Sequence, residues 1–237
     1  MEVKKLFNFF KKTDCATAVI VAAGNGTRMK SEKSKQLIEI NDIPVIAHTL
    51  IAFEKSDVID EIVVVTRESD ILIISDIAKE FGISKVTNIV KGGATRTDSV
   101  KNGICEAKNK YVAIHDGARP CITPEDIEKT VKKAMETGAA ALGCPVTDTL
   151  KKVDENGIIT DTVSRENLWA IQTPQVFEKD LILKAYKNGN TDGATDDCML
   201  LESIGVKVSM VCGSRNNIKI TVPEDVDMAS AILSKEN

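Results

Sequence analysis

The sequence predicts an α/β fold, a mainly parallel sheet flanked by helices with a protruding β-hairpin arm, and three features carry that reading. Short runs of β-branched and apolar residues, Ala18-Val19-Ile20-Val21, Ile62-Val63-Val64-Val65, Val86 to Val90 and Tyr111-Val112-Ala113-Ile114, recur with helix-patterned stretches between them. Strands separated by helices require right-handed crossovers, which give parallel pairing and place ligands outside the carboxyl ends of the strands. The rhythm breaks at about 145–172, where two alternating stretches flank Asp154-Glu155-Asn156-Gly157, the strongest hairpin signal in the chain. A length of 237 residues suits one large domain over 1–237, carrying that arm and an N-terminal extension at 1–15.

The first strand runs into Ala22-Ala23-Gly24-Asn25-Gly26-Thr27-Arg28-Met29, and Lys35 follows six residues later. Paired glycines let the backbone turn tightly enough to aim N–H groups at an anion, and Arg28 and Lys35 add positive charge. Met29 occupies the last glycine position of both G-x-G-x-x-G and G-x-x-x-x-G-K-S, which weakens a dinucleotide or P-loop reading. A strand, a glycine-rich turn and two cations suit a triphosphate lying across the loop, with plain turn chemistry as the alternative. Ile43 to Phe53, with Pro44 near its start, reads as a helix, and Thr66-Arg67-Glu68-Ser69 as a turn after the second strand. Ile71 to Phe81 is the next helix.

The third strand ends at Gly92-Gly93-Ala94-Thr95-Arg96-Thr97-Asp98-Ser99. Thr97 or Asp98 can cap a helix over Ser99 to Ala107, or the loop can contact a ligand, since glycines at a strand end let a base approach the backbone. The fourth strand ends at His115-Asp116-Gly117-Ala118-Arg119-Pro120. A carboxylate at a strand tip suits a hard cation such as magnesium, and the competing reading pairs Asp116 with Arg119. His115 reads as a core group, because no serine or cysteine motif accompanies it, and His48 as packing or surface.

Further along, Asp196 and Asp197 fall in the expected first turn of a helix, where carboxylates favour the dipole. Thr221, Pro223 and Glu224 read as a capping box opening the last helix. Lys219 sits in an apolar alternation at an expected strand end, where a lysine needs an anionic partner or a solvent cleft. A lone two-stranded ribbon is marginal in water, so the hairpin calls for a surface to pack on, and a second copy of the chain is the economical one.

Composition excludes several classes. A net charge of −4 with acids and bases interspersed offers no nucleic-acid surface. The six cysteines, Cys15, Cys105, Cys121, Cys144, Cys198 and Cys212, form no C-x-x-C pair and read as reduced core residues of a cytoplasmic protein. Met1 to Lys12 is basic, but Leu6-Phe7-Asn8-Phe9-Phe10 is too short for a signal peptide or membrane span.

Taken in order, the first loop with Lys35-Gln36, Gly92-Gly93 with Arg96 and Ser99, His115 to Pro120, Thr162-Val163-Ser164-Arg165 with Leu168-Trp169, Gln172-Thr173-Pro174-Gln175, and Asn217-Ile218-Lys219-Ile220-Thr221 resemble the 2-C-methyl-D-erythritol 4-phosphate cytidylyltransferases. The resemblance runs from about residue 16 to the end. Ribitol 5-phosphate cytidylyltransferases share the nucleotide half, whereas the Thr-Val-x-Arg segment followed by Leu-Trp matches the methylerythritol branch. One departure is Ser34, where the family usually has proline, a change that could loosen Lys35. The resemblance implies a Rossmann-like nucleotidyltransferase fold and transfer of CMP from CTP to the alcohol phosphate, releasing pyrophosphate. It places Ala22, Ala23, Gly24, Asn25 and Gly26 at the triphosphate, Gly93, Arg96 and Ser99 at the cytidine, and magnesium on Asp116. Arg28 and Lys35 would neutralise developing charge, Arg165 and Lys219 would grip the acceptor phosphate, and Thr149, Thr173 and Arg119 would lie nearby. A sugar-phosphate nucleotidyltransferase with another acceptor, and a nucleotide-binding regulator without turnover, are the competing readings.

Overall fold

The computed structural model describes residues 15–24, 34–189 and 193–235. In chain order its elements are β1 (Ala16–Val21), a 3-10 turn at Lys35–Leu37, β2 (Glu39–Ile40), β3 (Ile43–Pro44), α1 (Val45–Glu54), β4 (Ile59–Thr66), α2 (Ile71–Glu80), β5 (Val86–Lys91), α3 (Arg96–Glu106) and β6 (Tyr111–Asp116). There follow α4 (Pro124–Thr137), β7 (Ala139–Pro145), β8 (Lys151–Val153), β9 (Ile159–Thr162), β10 (Trp169–Glu178), α5 (Lys179–Asn188), α6 (Cys198–Glu202), β11 (Ser209–Cys212) and α7 (Glu224–Leu233).

Seven strands form the central sheet in the order β11-β7-β10-β6-β1-β4-β5. β1 pairs in parallel with both β4 and β6, β4 with β5, and β7 with β11, while β10 runs antiparallel between β6 and β7. The expected mainly parallel sheet is therefore present, with one reversed strand. β1 sits where the connections turn from one side to the other, so a crevice opens at the carboxyl ends of β1 and β6.

Both faces of the sheet are buried, which is why its strands are apolar runs rather than alternating ones. Ala18 and Ile20 of β1 join Ile62, Val64 and Ala113 in a core beneath α1, α2 and α4. Val19, one residue out of phase, joins Val65, Val112 and Ile114 in a second core beneath α3, α5 and α6. Each fully buried side chain of this size contributes about 1.5–3 kcal/mol. A third cluster, Ile40, Val45, Ala118, Cys121, Ile220, Ala229 and Leu233, pins α7 against β2 and the start of α1.

Local chemistry revises several expected boundaries. α3 begins at Arg96, not Ser99, and its N-cap is Thr95, whose hydroxyl accepts from Asp98 N–H while the Asp98 carboxylate accepts from Thr95 N–H. The last helix is capped differently as well: Asp225 Oδ2 accepts from Thr221 N–H at 2.7 Å and Val222 N–H at 2.9 Å, so Thr221 and Glu224 form no capping box. Asp196 and Asp197 precede α6 rather than lying in its first turn, and Asp196 Oδ1 accepts from Met199 N–H at 3.1 Å. The expected strand over 145–153 is two pieces, since Pro145 ends β7 and only Lys151–Val153 belongs to the arm. At the arm's tip Asp154 Oδ1 accepts from the N–H groups of Asn156 and Ile158, and Gly157 takes φ of +79°, where a Cβ would be strained. Cys121, Cys144 and Cys198 are buried as expected, but Cys105 and Cys212 are exposed.

A charged cavity at the strand ends

At the carboxyl ends of β1, β5 and β6 a cavity of about 300 Å³ is lined by Ala23, Gly24, Lys35, Gly93, Arg96, Ser99, Asp116 and Lys219. Residues more than a hundred positions apart converge there because parallel strands deliver all their C-terminal loops to one edge. A Cβ on Gly93 would stand 2.3 Å from Asp98 Cβ, and one on Gly92 would stand 2.5 Å from Ala23 Cβ, so the two loops approach as closely as they do only through glycine. Gly24 instead faces open space, with nothing within 4 Å of where a Cβ would lie.

Asp116 is the electrostatic centre. It is 8% exposed, and Lys219 Nζ lies 2.8 Å from its Oδ2, Arg119 Nε 3.7 Å from the same oxygen, and Arg96 Nη2 3.5 Å from Oδ1. Burial works to raise its pKa, but Lys219, Arg96 and Arg119 outweigh burial and hold the carboxyl well below the usual range. The lysine expected to need an anionic partner has one, although Lys219 lies in an irregular segment and not at a strand end. The expected pairing of Asp116 with Arg119 is also present, as one of three contacts. Asp116 N–H donates to Thr173 Oγ1 at 3.1 Å, and that hydroxyl lies 3.1 Å from His115 Nδ1. The network leaves Nδ1 as acceptor and assigns the ring proton to Nε2, which faces Arg119 O at 3.5 Å. Burial pushes the His115 pKa down to about 3, so the imidazole is a neutral core group and Thr173 a buttress beneath Asp116.

Arg96 spans the cavity wall. Its Nη1 donates to Asp197 Oδ2 at 2.9 Å, and although burial disfavours its charge, Asp197 and Asp116 outweigh that effect and raise its pKa. Asp197 is 1% exposed; burial pushes its own pKa up despite Arg96. Its backbone N–H donates to Gln175 Oε1 at 3.0 Å, and Tyr186 Oη donates to its Oδ1 at 3.4 Å. Sequence reasoning missed Asp197 as a site residue because its partner is 101 positions away; Gln175, in the Gln-Thr-Pro-Gln run, was the available signal. The Ser99 hydroxyl accepts from Gly93 N–H at 3.0 Å and donates to Thr95 O at 2.9 Å, so it shapes the loop it lines.

Lys35 Nζ donates to Ile220 O at 3.1 Å, and Ile220 N–H donates to Ala118 O at 2.8 Å, which ties the C-terminal segment across the cavity. Ser34 has φ −55° and ψ 132°, the conformation a proline fixes, and its hydroxyl donates to Gln36 Oε1 at 2.5 Å. Serine thus keeps the proline geometry that presents Lys35. Arg119 Nη1 donates to Asn217 O at 2.7 Å, and Asn217 Nδ2 donates to Thr173 O at 2.9 Å, which fixes the segment before Lys219. Burial lowers the Arg119 pKa although Asp116 opposes it.

The other expected site residues are elsewhere. Ala22 is buried behind Gly117, while Asn25, Gly26 and Arg28 lie outside the described residues. Arg165 and Thr149 are exposed on and beside the arm, where Arg165 Nη1 donates to Thr147 O; neither lines the cavity of its own chain. Among the described residues no cluster of three or more His, Cys, Asp and Glu side chains could hold a metal by itself. Asp116 is the carboxylate among the described residues lining the cavity, and among these residues its Oδ1 meets Arg96 at 3.5 Å. That suits a magnesium-type ion, which takes one protein carboxylate and completes its shell with water and substrate phosphates.

A family model for 2-C-methyl-D-erythritol 4-phosphate cytidylyltransferase matches residues 16–235. A curated protein of that name from Desulforamulus reducens is 44% identical over 225 residues, covering 93% of this chain and 96% of its own. Another from Caldanaerobacter subterraneus subsp. tengcongensis is 46% identical over 224 residues, covering 92% and 99%. The crystal structure of 4-diphosphocytidyl-2C-methyl-D-erythritol synthase from Anaerococcus prevotii superposes with a TM-score of 0.81 at 33% identity, covering 93% of this chain and 96% of that one. The family model, the relatives and the solved structure all match nearly the full length, and this chain belongs to the 2-C-methyl-D-erythritol 4-phosphate cytidylyltransferase family.

Proposed function

We propose that this cavity is where the chain, a cytidylyltransferase of isoprenoid biosynthesis, joins CMP from CTP to 2-C-methyl-D-erythritol 4-phosphate. The observation that carries the site assignment is the convergence of Lys35, Arg96 and Lys219 around a glycine-bounded cavity whose carboxylate, Asp116, is held ionised. In the reaction a phosphate monoester oxygen attacks the α-phosphorus of CTP in line, a new P–O bond forms, the bond to the bridging oxygen breaks, and pyrophosphate leaves. The nucleophile is anionic at neutral pH, so no strong base is required. Catalysis reduces to holding two anions together and stabilising charge on phosphorus.

Gly24 and Gly93 give CTP room against the backbone, and Arg96 and Ser99 shape the wall at the cytidine. Lys35 gains importance as charge builds on the α-phosphoryl oxygens. Lys219 holds Asp116 and presents its ammonium to the acceptor phosphate. A divalent ion, magnesium in our reading, would be held by Asp116 and supplies charge neutralisation on the triphosphate. Asn25, Gly26 and Arg28 complete the triphosphate loop.

The acceptor half needs Arg165, which its own chain leaves outside the cavity. The arm exposes Val153 at 57%, Ile158 at 64% and Ile159 at 60%, an apolar surface on a ribbon with little core of its own. We assign that surface to a homodimer in which each arm carries Arg165, with Thr149 near its base, to the partner's cavity. The free thiols Cys105, Cys144, Cys198 and Cys212 support a cytoplasmic setting, and no helix among the described residues is long and apolar enough to cross a membrane.

The decisive assay is pyrophosphate release with CTP, magnesium and a panel of alcohol phosphates. Turnover confined to methylerythritol phosphate is the expected result. Equal turnover with ribitol 5-phosphate, or none with either, would overturn the acceptor assignment.

A further inference from the structure

We propose that the groove between α2 and the edge strand β5 is the docking site of this chain's own N-terminal segment, residues 1–14. The groove encloses about 610 Å³ on the far side of the sheet order from the arm and is lined by Leu72, Ser75, Ile83, Val86 and Ile89. Leu72 is 77% exposed and Ile73 45%, although α2 packs its Ile74 and Ile77 into the core. β5 ends the seven-stranded sheet, so its outer side has no strand partner among the described residues. An apolar groove beside an open sheet edge calls for a cover.

The segment leaves the fold close to it. β1 begins at Ala16, and β5 is two strands away, about 10 Å at ordinary strand spacing. Cys15 Sγ contacts Asp57 O at 3.9 Å, and Lys85 Nζ, just before β5, donates to Ser56 O at 2.8 Å, so both strand starts meet on one side of the sheet. The nine steps from Leu6 to Cys15 span up to about 30 Å when extended, enough to cross that gap and run along the groove.

Its chemistry matches. Three of the chain's six phenylalanines, Phe7, Phe9 and Phe10, join Leu6 in one short run flanked by Lys4, Lys5, Lys11 and Lys12. Asp57 and Asp60 are exposed at the exit and Asp76 and Glu80 are exposed on α2, where Asp76 pairs with Lys79 of the groove lining. The family match starts at residue 16, so this run lies outside what the shared chemistry uses.

The test uses the full chain with a photoreactive benzoylphenylalanine in place of Phe9, irradiated and mapped by mass spectrometry. Crosslinks within one chain to residues 71–91, independent of protein concentration, are expected. Crosslinks between chains, crosslinks elsewhere on the same chain, or loss of the crosslink to vesicles of anionic lipid would overturn the proposal in favour of a second copy, another surface or a membrane. Hydrogen exchange gives a second readout. Replacing Phe7, Phe9 and Phe10 together by serine should speed exchange at α2 and β5 about tenfold, as should Leu72→Asp, with no further gain when the changes are combined. Leu72→Asp should leave pyrophosphate release unchanged. Exchange unaltered by both changes would also sink the idea.

Discussion

The strand-end cavity sets its cations against buried carboxylates, whereas the β-arm carries its cations exposed. In the cavity Arg96 and Lys219 are fixed by buried carboxylates, Arg96 by Asp197 and Asp116 and Lys219 by Asp116, and Lys35 is tied to Ile220 O. On the arm Arg165 is exposed and is held by Thr147 O alone among the contacts recorded for it. On the proposed reading, the difference teaches that the nucleotide half would be organised before substrate arrives, whereas the acceptor half would be finished by docking. Preorganised donors act on developing charge without reorganisation, and substitutions there should strike turnover; substitutions on the arm should strike acceptor recognition.

The largest expected effect is at the organised end. Lys35→Ala should lower kcat about a hundredfold or more while changing the KM for CTP far less, because its charge matters most in the transition state. Steady-state kinetics decides it: a raised KM with unchanged kcat would make Lys35 a ground-state anchor and erase the contrast with the arm.

Next is Arg165→Ala, which should raise the KM for the alcohol phosphate about tenfold or more, the weight of one charge-assisted contact, and spare CTP. Arg165→Lys should rescue poorly, since an ammonium lacks the guanidinium fork. Under conditions where both variants are inactive, mixing Lys35→Ala with Arg165→Ala and reassorting the chains should restore about a quarter of wild-type activity: half the dimers are mixed, each with one intact site of two. No recovery after proven exchange would show that both residues serve one chain's own cavity.

Asp197→Asn sharpens the comparison from the side. It keeps the shape but removes the charge that fixes Arg96, and the KM for CTP should rise on the order of tenfold, with Asp197→Glu recovering part of it. A variant with wild-type KM would reduce Asp197 to a packing residue.

The smallest effect is on stability against acid. His115 has a folded pKa of about 3 against an ordinary value of 6.5, so it contributes nothing above pH 6.5. From pH 6.5 down to 3 the unfolded chain binds a proton that the folded one refuses, and stability falls. The urea midpoint should therefore drop between pH 7 and 5 in the native sequence and drop less in His115→Gln; identical slopes would place the titrating group elsewhere.

What the sequence disclosed and what it hid divide along physical lines. Strands buried on both faces announce themselves as apolar runs, and Gly24, Gly93 and Asp116 stand at their ends, so the crevice was legible. Caps were misplaced because Thr95, Thr97 and Asp98 are all competent residues and only backbone geometry chooses among them. The same ambiguity hid Asp225 behind Thr221 and Glu224. Alternation over 145–153 ran through two elements because residues 146–150 continue the pattern between β7 and β8 while belonging to neither strand. Asp197 was hidden because an ion pair between distant segments leaves no local period.

The Lys35–Ile220 contact joins positions 185 residues apart, and α7 packs the second of them against β2 and the start of α1. The cavity is therefore a latch closed by the tail of the chain. As the chain emerges from the ribosome, every strand of the sheet precedes Lys219 and Ile220, so one wall of the cavity waits until those residues are made. A chain stalled before Lys219 holds Gly24, Gly93 and Asp116 without the cation that pairs with that carboxylate most closely, so the cavity stays unfinished on that side until residue 219 is made.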